Sequence, residues 1–333
     1  MSSRRLAVTF VHGIEISDPS FAEKAIGLLK RAFEHHAGVA ADEALVIRPT
    51  FWAPALQETE DALYERCYGP RSRGLDARLT QWVTRINAGS ISGLWPFLAA
   101  IPWRRLPWIP QPNYPVLRWL VVQFFGDAIA YQMTGTDRRV YEGIHAYVAD
   151  TMGELAREAG EDAPLCVIAH SLGTVIASNY FYDLQTQYGD APRRLIPPTV
   201  NARIGPTPLE RGETIAFLYT LGSPLALWAM RYPDFGTPLT MPSPKLRDHH
   251  PTLTGEWINF QDPDDLVAYP LRALSREYEK QVTEDRVVSV GPWWLGWTPM
   301  AHWWYWNDET VIDPIARSLA AAWRQANTAS EVG

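Results

Sequence analysis

Two cysteines in 333 residues, Cys67 and Cys166, are too few for a disulfide framework. Cys166 sits in a continuous apolar run and reads as an inert core thiol. Positive charge is also scarce: 30 Lys and Arg stand against 37 Asp and Glu, a formal net charge of −7. Binding to a phosphate backbone needs a concentrated basic surface, so nucleic acid is not expected as a partner. No apolar run approaches the roughly 18 to 20 residues of a membrane-spanning helix. The run after Arg4-Arg5 covers only Leu6 to Val11 before His12, too short for the core of a secretion signal, and a cytoplasmic location is expected. Neither G-x-x-x-x-G-K-[ST] nor G-x-G-x-x-G occurs, so nucleotide binding has no support. His35-His36 and His249-His250 are sequence neighbours, which seldom aim at one metal ion, and no third ligand stands at suitable spacing. Neither a metal nor another cofactor is expected.

What is present is a globular composition, 47% hydrophobic and 20% charged, with 15 Trp and 27 Pro. Strand-like runs recur along it: Leu6 to Val11 (LAVTFV), Ala44 to Trp52 with Pro49 near its end, Leu165 to Ala169, Ile215 to Leu221, Trp257 to Phe260 and Arg286 to Val290. Helical spacing marks 20–35, 172–187 and 308–325, the last with Asp308 and Glu309 in its first turn. Strands alternating with helices predict an α/β class with a mostly parallel sheet covered on both faces. Residues 1–333 are expected to form a single domain, with the long Pro-rich, aromatic stretch 53–135 as a cap or lid insertion over the strand ends.

The stretch LCVIAHSLG places Ser171 between a strand and a helix, with Ala169 two residues before and Gly173 two after. A serine on a sharp strand-to-helix turn needs small residues at those two places, because its strained backbone leaves no room for larger ones. The competing reading is an ordinary helix N-cap serine.

With this elbow the chain resembles the α/β-hydrolase superfamily, in particular its lipase-like members with an AHSLG turn. The resemblance implies an α/β-hydrolase fold and a Ser, acid, His order along the chain. The acid belongs after a later strand, where WINFQDPDDLVAYPL offers Asp262, Asp264 and Asp265. The family's Asp-x-Val segment with a following Pro matches Asp265-Leu266-Val267-Ala268-Tyr269-Pro270, so Asp265 is the choice, with Asp262 and Asp264 as alternatives. The histidine belongs after the next strand, where GPWWLGWTPMAHWWYWNDE contains only His302. This C-terminal part is also similar to DDHD-type phospholipases. Oxyanion donors are implied at the backbone of Leu172 and, after the first strand's VHGIE, at Ile14 with Gly13 next. His170 looks structural.

The expected chemistry is hydrolysis of carboxylic esters with an apolar acyl or alcohol part, through an acyl-enzyme. Trp303, Trp294 and Leu225 are candidate substrate contacts, and the Trp group at 293, 294, 297, 303, 304 and 306 is expected to wall the site around His302. The segment 93–115, with its rings around Arg104-Arg105, suits either a lid touching a lipid surface at the membrane periphery or a cap packed on the same molecule. A thioesterase, amidase or acyltransferase on the same three residues is an alternative. So is a non-catalytic lipid- or partner-binding protein of the same fold.

Overall fold

The computed structural model describes residues 4–13, 18–56, 62–63, 66, 127–131, 138–189, 192–292, 296 and 299–328. The chain divides into two compact units, Met1–Trp52 with Glu142–Gly333, and Ala53–Tyr141. In the second, the described residues include a short helix Asp127–Tyr131, whose Tyr131 stacks on Tyr141 at 5.4 Å. The 93–115 segment and Cys67 lie outside the described residues.

The first unit is built on six strands: β1 (Leu6–Val11), β2 (Leu45–Thr50), β3 (Leu165–His170), β4 (Ile215–Leu221), β5 (Glu256–Gln261) and β6 (Glu284–Val287). They form one sheet in the order β2-β1-β3-β4-β5-β6, and every neighbouring pair is parallel. The central strands β1, β3 and β4 are buried along their whole length, which explains their continuous apolar runs. Pro49 is tolerated because β2 is an edge strand, where a missing N–H costs no ladder bond on the open side.

The main helices are α1 (Glu23–Ala37), α2 (Arg139–Ala159), α3 (Leu172–Tyr188) and α4 (Glu309–Thr328). Val8 and Phe10 of β1 and Ile168 of β3 share one core cluster with Leu29 and Phe33 of α1 and Ile315 and Leu319 of α4. Burying each such side chain contributes about 1.5 to 3 kcal/mol. Buried residues of α3 such as Val175, Ile176 and Phe181 belong to none of that cluster. This helix packs against β1 and β3 on the other face, toward which Ala7, Thr9 and Val11 alternate. Helices therefore cover both faces.

Two elements depart from the sequence reading. The strand expected at 286–290 lies two residues earlier, at Glu284–Val287, on the outer edge of the sheet. Its charged residues suit an exposed edge, and the apolar residues that follow are tied down differently: Val288 N–H meets Gln261 O at 2.9 Å and Val290 N–H meets an Asp262 oxygen at 2.7 Å. The 21-residue α2 was not anticipated, although Tyr141, Ile144, Val148, Met152 and Leu155 recur at helical spacing and are all buried.

Because β1 has β2 on one side and β3 on the other, the chain's winding reverses between β1 and β3. In open parallel sheets this reversal leaves a crevice outside the carboxyl ends of the two strands. His12-Gly13 and Ser171 stand at that place.

Candidate active site

Strand β3 runs into α3 with Ser171 as the only intervening residue, and this forces a sharp turn. Ser171 adopts φ 54°, ψ −130°, a left-handed backbone state that costs a non-glycine residue on the order of 1 to 3 kcal/mol. Its N–H is fixed to Leu221 O of β4 at 3.0 Å, and its carbonyl accepts from Thr174 N–H and from Thr174 Oγ1, the latter at 2.7 Å. A Cβ on Gly173 would lie 2.3 Å from Val11 O and 2.5 Å from His12 O, so the helix can start this close to β1 only with glycine there. Ser171 occupies the N-cap position of α3 yet makes no side-chain cap hydrogen bond. Its hydroxyl is committed elsewhere.

Ser171 Oγ lies 2.9 Å from His302 Nε2, and His302 Nδ1 lies 2.8 Å from Asp265 Oδ2. All three residues are buried. Asp265 Oδ2 also accepts from the Tyr305 hydroxyl at 3.1 Å, and its Oδ1 accepts from Val267 N–H at 3.0 Å. Burial alone would raise this carboxyl, but the donors on it, His302 above all, hold it below the ordinary carboxylate range. With Asp265 an acceptor, Nδ1 of His302 carries the ring proton and Nε2 is left to accept from Ser171 Oγ–H.

The three aspartates of the β5 loop have separate places. Asp264 is exposed. Asp262 is buried, and its two oxygens accept from Asp264 N–H (2.9 Å) and Val290 N–H (2.7 Å), so its carboxylate ties the β5 loop to the segment after β6. Burial raises the Asp262 carboxyl against those backbone donors, the opposite direction from Asp265. Asp262 N–H in turn donates to the Tyr305 hydroxyl at 2.7 Å, and burial beside Asp265 keeps that phenol protonated.

Gly13 presses against the serine: a Cβ there would stand 2.5 Å from Ser171 Cβ and 3.1 Å from its Oγ. The backbone at the end of β1 thus passes beside the hydroxyl. His12 shapes this turn. Its Nε2 accepts from Trp52 N–H (3.1 Å), so Nδ1 carries the proton and donates to Gly13 O (2.6 Å), while its ring stacks on Trp52. Desolvation lowers its pKa to about 3. His170 is likewise lowered to about 3, by burial first and then by the nearby His302. Its Nε2–H donates to His302 O at 2.7 Å, which holds the histidine loop against the elbow. Leu172 is the first residue of α3, where backbone N–H groups have no acceptor within the helix.

The remaining sequence candidates fall in different places. Ile14 and Trp294 lie outside the described residues, as do Trp293 and Trp297. Trp303 meets the His302 ring edge-on at 5.7 Å. Leu225 is buried and opens the short helix after β4, its N–H on Ser223 Oγ at 3.2 Å. Trp304 and Trp306 pack into the core instead of walling the site, Trp306 against Phe10 at 5.4 Å. Cys166 is buried in β3, and desolvation pushes its thiol well up. His36, His249 and His250 are bonded to Asp313, Glu213 and the Asp162 carbonyl, each pairing confined to its own locality. Among the described residues no group of three or more His, Cys, Asp or Glu could hold a metal ion.

Sequence reasoning missed Tyr305, the clamping role of His12 with Trp52, and Gly222. A Cβ on Gly222 (φ 55°) would fall 2.9 Å from Asp265 Oδ2 and 3.2 Å from His302 Nδ1. The one signal was Gly222 at the end of a strand; nothing marked Tyr305 among its aromatic neighbours. No protein-family model and no curated protein matches the chain.

Proposed function

We propose that the protein is a serine hydrolase of the α/β-hydrolase fold, acting on carboxylic esters with an apolar acyl or alcohol part, with 53–135 as its cap. The observation that carries the reading is the unbroken hydrogen-bonded line from Ser171 Oγ through His302 to Asp265, starting on a strained turn at the sheet's reversal point.

A serine hydroxyl is a weak nucleophile at neutral pH. As Oγ attacks the ester carbonyl carbon, its proton passes to His302 Nε2, and Asp265 stabilises the imidazolium that results. The carbonyl oxygen takes the negative charge and needs donors already in place. The Leu172 N–H at the helix start and the backbone after β1, at Gly13 and Ile14, are the groups we assign to it. His302 then gives its proton to the leaving alkoxide, and the alcohol departs from an acyl-Ser171 ester. A water attacks that ester as it delivers a proton to Nε2, and the adduct collapses to the acid while Nε2 returns that proton to the departing Ser171 Oγ.

Apolar residues support an apolar substrate. Leu266 and Tyr269, close after Asp265, and Leu227 and Met230, in and just after the short helix that Leu225 opens, are exposed. Exposed large apolar side chains close in sequence to the site suit contact with an apolar partner.

Hydrolysis of p-nitrophenyl esters from acetyl to palmitoyl tests the reading. Turnover that rises with acyl length beyond acetyl and vanishes in Ser171→Ala is expected. Turnover that Ser171→Ala leaves intact would refute it, and absence of any ester, thioester or amide hydrolysis would favour the non-catalytic binder.

A further inference from the structure

A cavity of about 270 Å³ lies well away from Ser171. Its walls come from the C-terminal end of α3, the turn before β4 at Arg211–Glu213, and the 237–245 loop. Gly212 precedes β4 and borders this cavity, whereas Gly222 follows β4 and touches Asp265. At ~3.3 Å per residue, β4 separates the two places by roughly 20 Å. The cavity is therefore independent of the site already described.

Its electrostatics are unusual for an acidic chain. Three charged side chains line it: Arg211, Lys245 and Glu213. Both Glu213 oxygens are taken, one by Lys245 Nζ at 2.9 Å and one by His249 Nε2 at 3.0 Å. Arg211 is left over. Among the described residues its guanidinium has no carboxylate or carbonyl partner, and its Nε is buried without an acceptor. It lies over the Tyr188 ring, 5.1 Å from the centroid, which occupies one flat face of the guanidinium. The in-plane N–H fork, the part that pairs with an oxyanion, is unused. Arg211 as a whole is half-buried, and its one buried N–H, on Nε, has no acceptor among the described residues, so an oxyanion that met it would recover the cost of that lost hydration on binding.

The rest of the lining mixes polar residues, Thr186, Thr237 and Ser243 among them, with an apolar part, and it is held in shape. Tyr182, Leu184, Pro238 and Pro244 supply the apolar part. Gln185 grips the rim by both ends of its amide, Nε2 donating to Thr240 O and Oε1 accepting from Thr240 N–H, each at 2.8 Å. A fixed rim lowers the ordering cost of binding.

We propose that this cavity is a second binding site, for a small organic oxyanion with a short apolar body, a carboxylate or phosphate monoester whose head is received by Arg211. The inference stands whether or not Ser171 is a nucleophile. Calorimetric titration of the full chain with octanoate, octyl phosphate and octanol tests it. Saturable one-to-one binding of at least one anion, about tenfold or more tighter than octanol, is expected, and the tighter anion identifies the head group. Arg211→Gln, with an unchanged melting temperature, is expected to weaken that binding about tenfold or more. Octanol binding as tightly as both anions, no saturable anion binding, or anion binding that R211Q leaves unchanged would overturn it. The octanol comparison needs no variant and holds even if R211Q fails to fold.

Discussion

Two buried polar networks run beside β4 and β5, and they end differently. In the first, Trp257 Nε1–H donates to Thr220 Oγ1, Thr220 donates to Asn259 Oδ1, and Asn259 Nδ2 donates to Asp285 and to Tyr269 O. The Asp285 carboxylate then accepts from Leu271 and Arg272 N–H. Every proton in that line has a fixed acceptor, and the result is a pinned loop. The second network runs from Val290 through Asp262, Tyr305, Asp265 and His302 to Ser171. It ends on a hydroxyl beside the crevice, at a residue whose backbone is strained to hold it there. A closed network builds structure. One that ends on a hydroxyl–imidazole pair holds a proton that can move, and the proposed hydrolase reading puts its chemistry there.

Substitutions in the two networks test this contrast. The largest effect is expected at the open end: Ser171→Ala should lower ester turnover by about 10⁶-fold, measured as kcat with a p-nitrophenyl ester. Asp265→Asn comes next, with about a 10⁴-fold loss of kcat, because the amide no longer fixes the His302 tautomer. Asp264→Asn should leave kcat unchanged, and equal losses at both positions would remove the distinction drawn between the loop's carboxylates.

Acid should act on the frame of the open network before it acts on Asp265. His12 and His170 are held neutral with pKa lowered to about 3, so between about pH 6.5 and 3 the unfolded chain binds more protons than the folded one. Stability is therefore complete above about pH 6.5 and falls with acid, by about 2 kcal/mol for each of the two near pH 5. The stabilisation from Asp265, whose carboxyl is depressed, is lost only at lower pH, below the ordinary carboxylate range. Denaturant unfolding at pH 7 and pH 5 checks the sign, and equal stability at the two would contradict it.

Tyr305→Phe removes one donor from Asp265 and one acceptor from Asp262 N–H. The expected loss is about 1.5 to 3 kcal/mol of transition-state stabilisation, read in kcat with KM little changed. Asp285→Ala in the closed network should cost about 1 to 3 kcal/mol of stability while kcat per folded molecule stays the same. A reversal of these last two results would erase the distinction between the networks.

The sheet was legible because its strands are continuous apolar runs closed by turns. LAVTFV and IAFLYTL coincide with β1 and β4 residue for residue. The edge strand β6 was misplaced because burial, the source of the apolar signal, is weakest at an edge. The serine elbow was readable from spacing, since Gly173 is required by Val11 O and His12 O only two residues past Ser171. Asp265 and His302 were chosen from chain order and resemblance, and the fold brings them to Ser171 across 94 and 131 residues of sequence. Tyr305 and the His12–Trp52 pair could not be read, and Gly222 only as a glycine closing a strand, because each acts through a contact between segments far apart in the chain. The closed network was hidden for the same reason: Thr220, Asn259 and Asp285 are unremarkable in their own strands and meet only across the sheet.

The most direct test is covalent. A fluorophosphonate ester carries a tetrahedral phosphorus that an activated serine attacks at neutral pH, displacing fluoride. Incubation of the native protein at pH 7, followed by peptide mass spectrometry, is expected to find one adduct, on Ser171, and none in Asp265→Asn over the same time. A native protein that stays unlabelled at Ser171, or carries its adduct on another residue, would contradict the assignment.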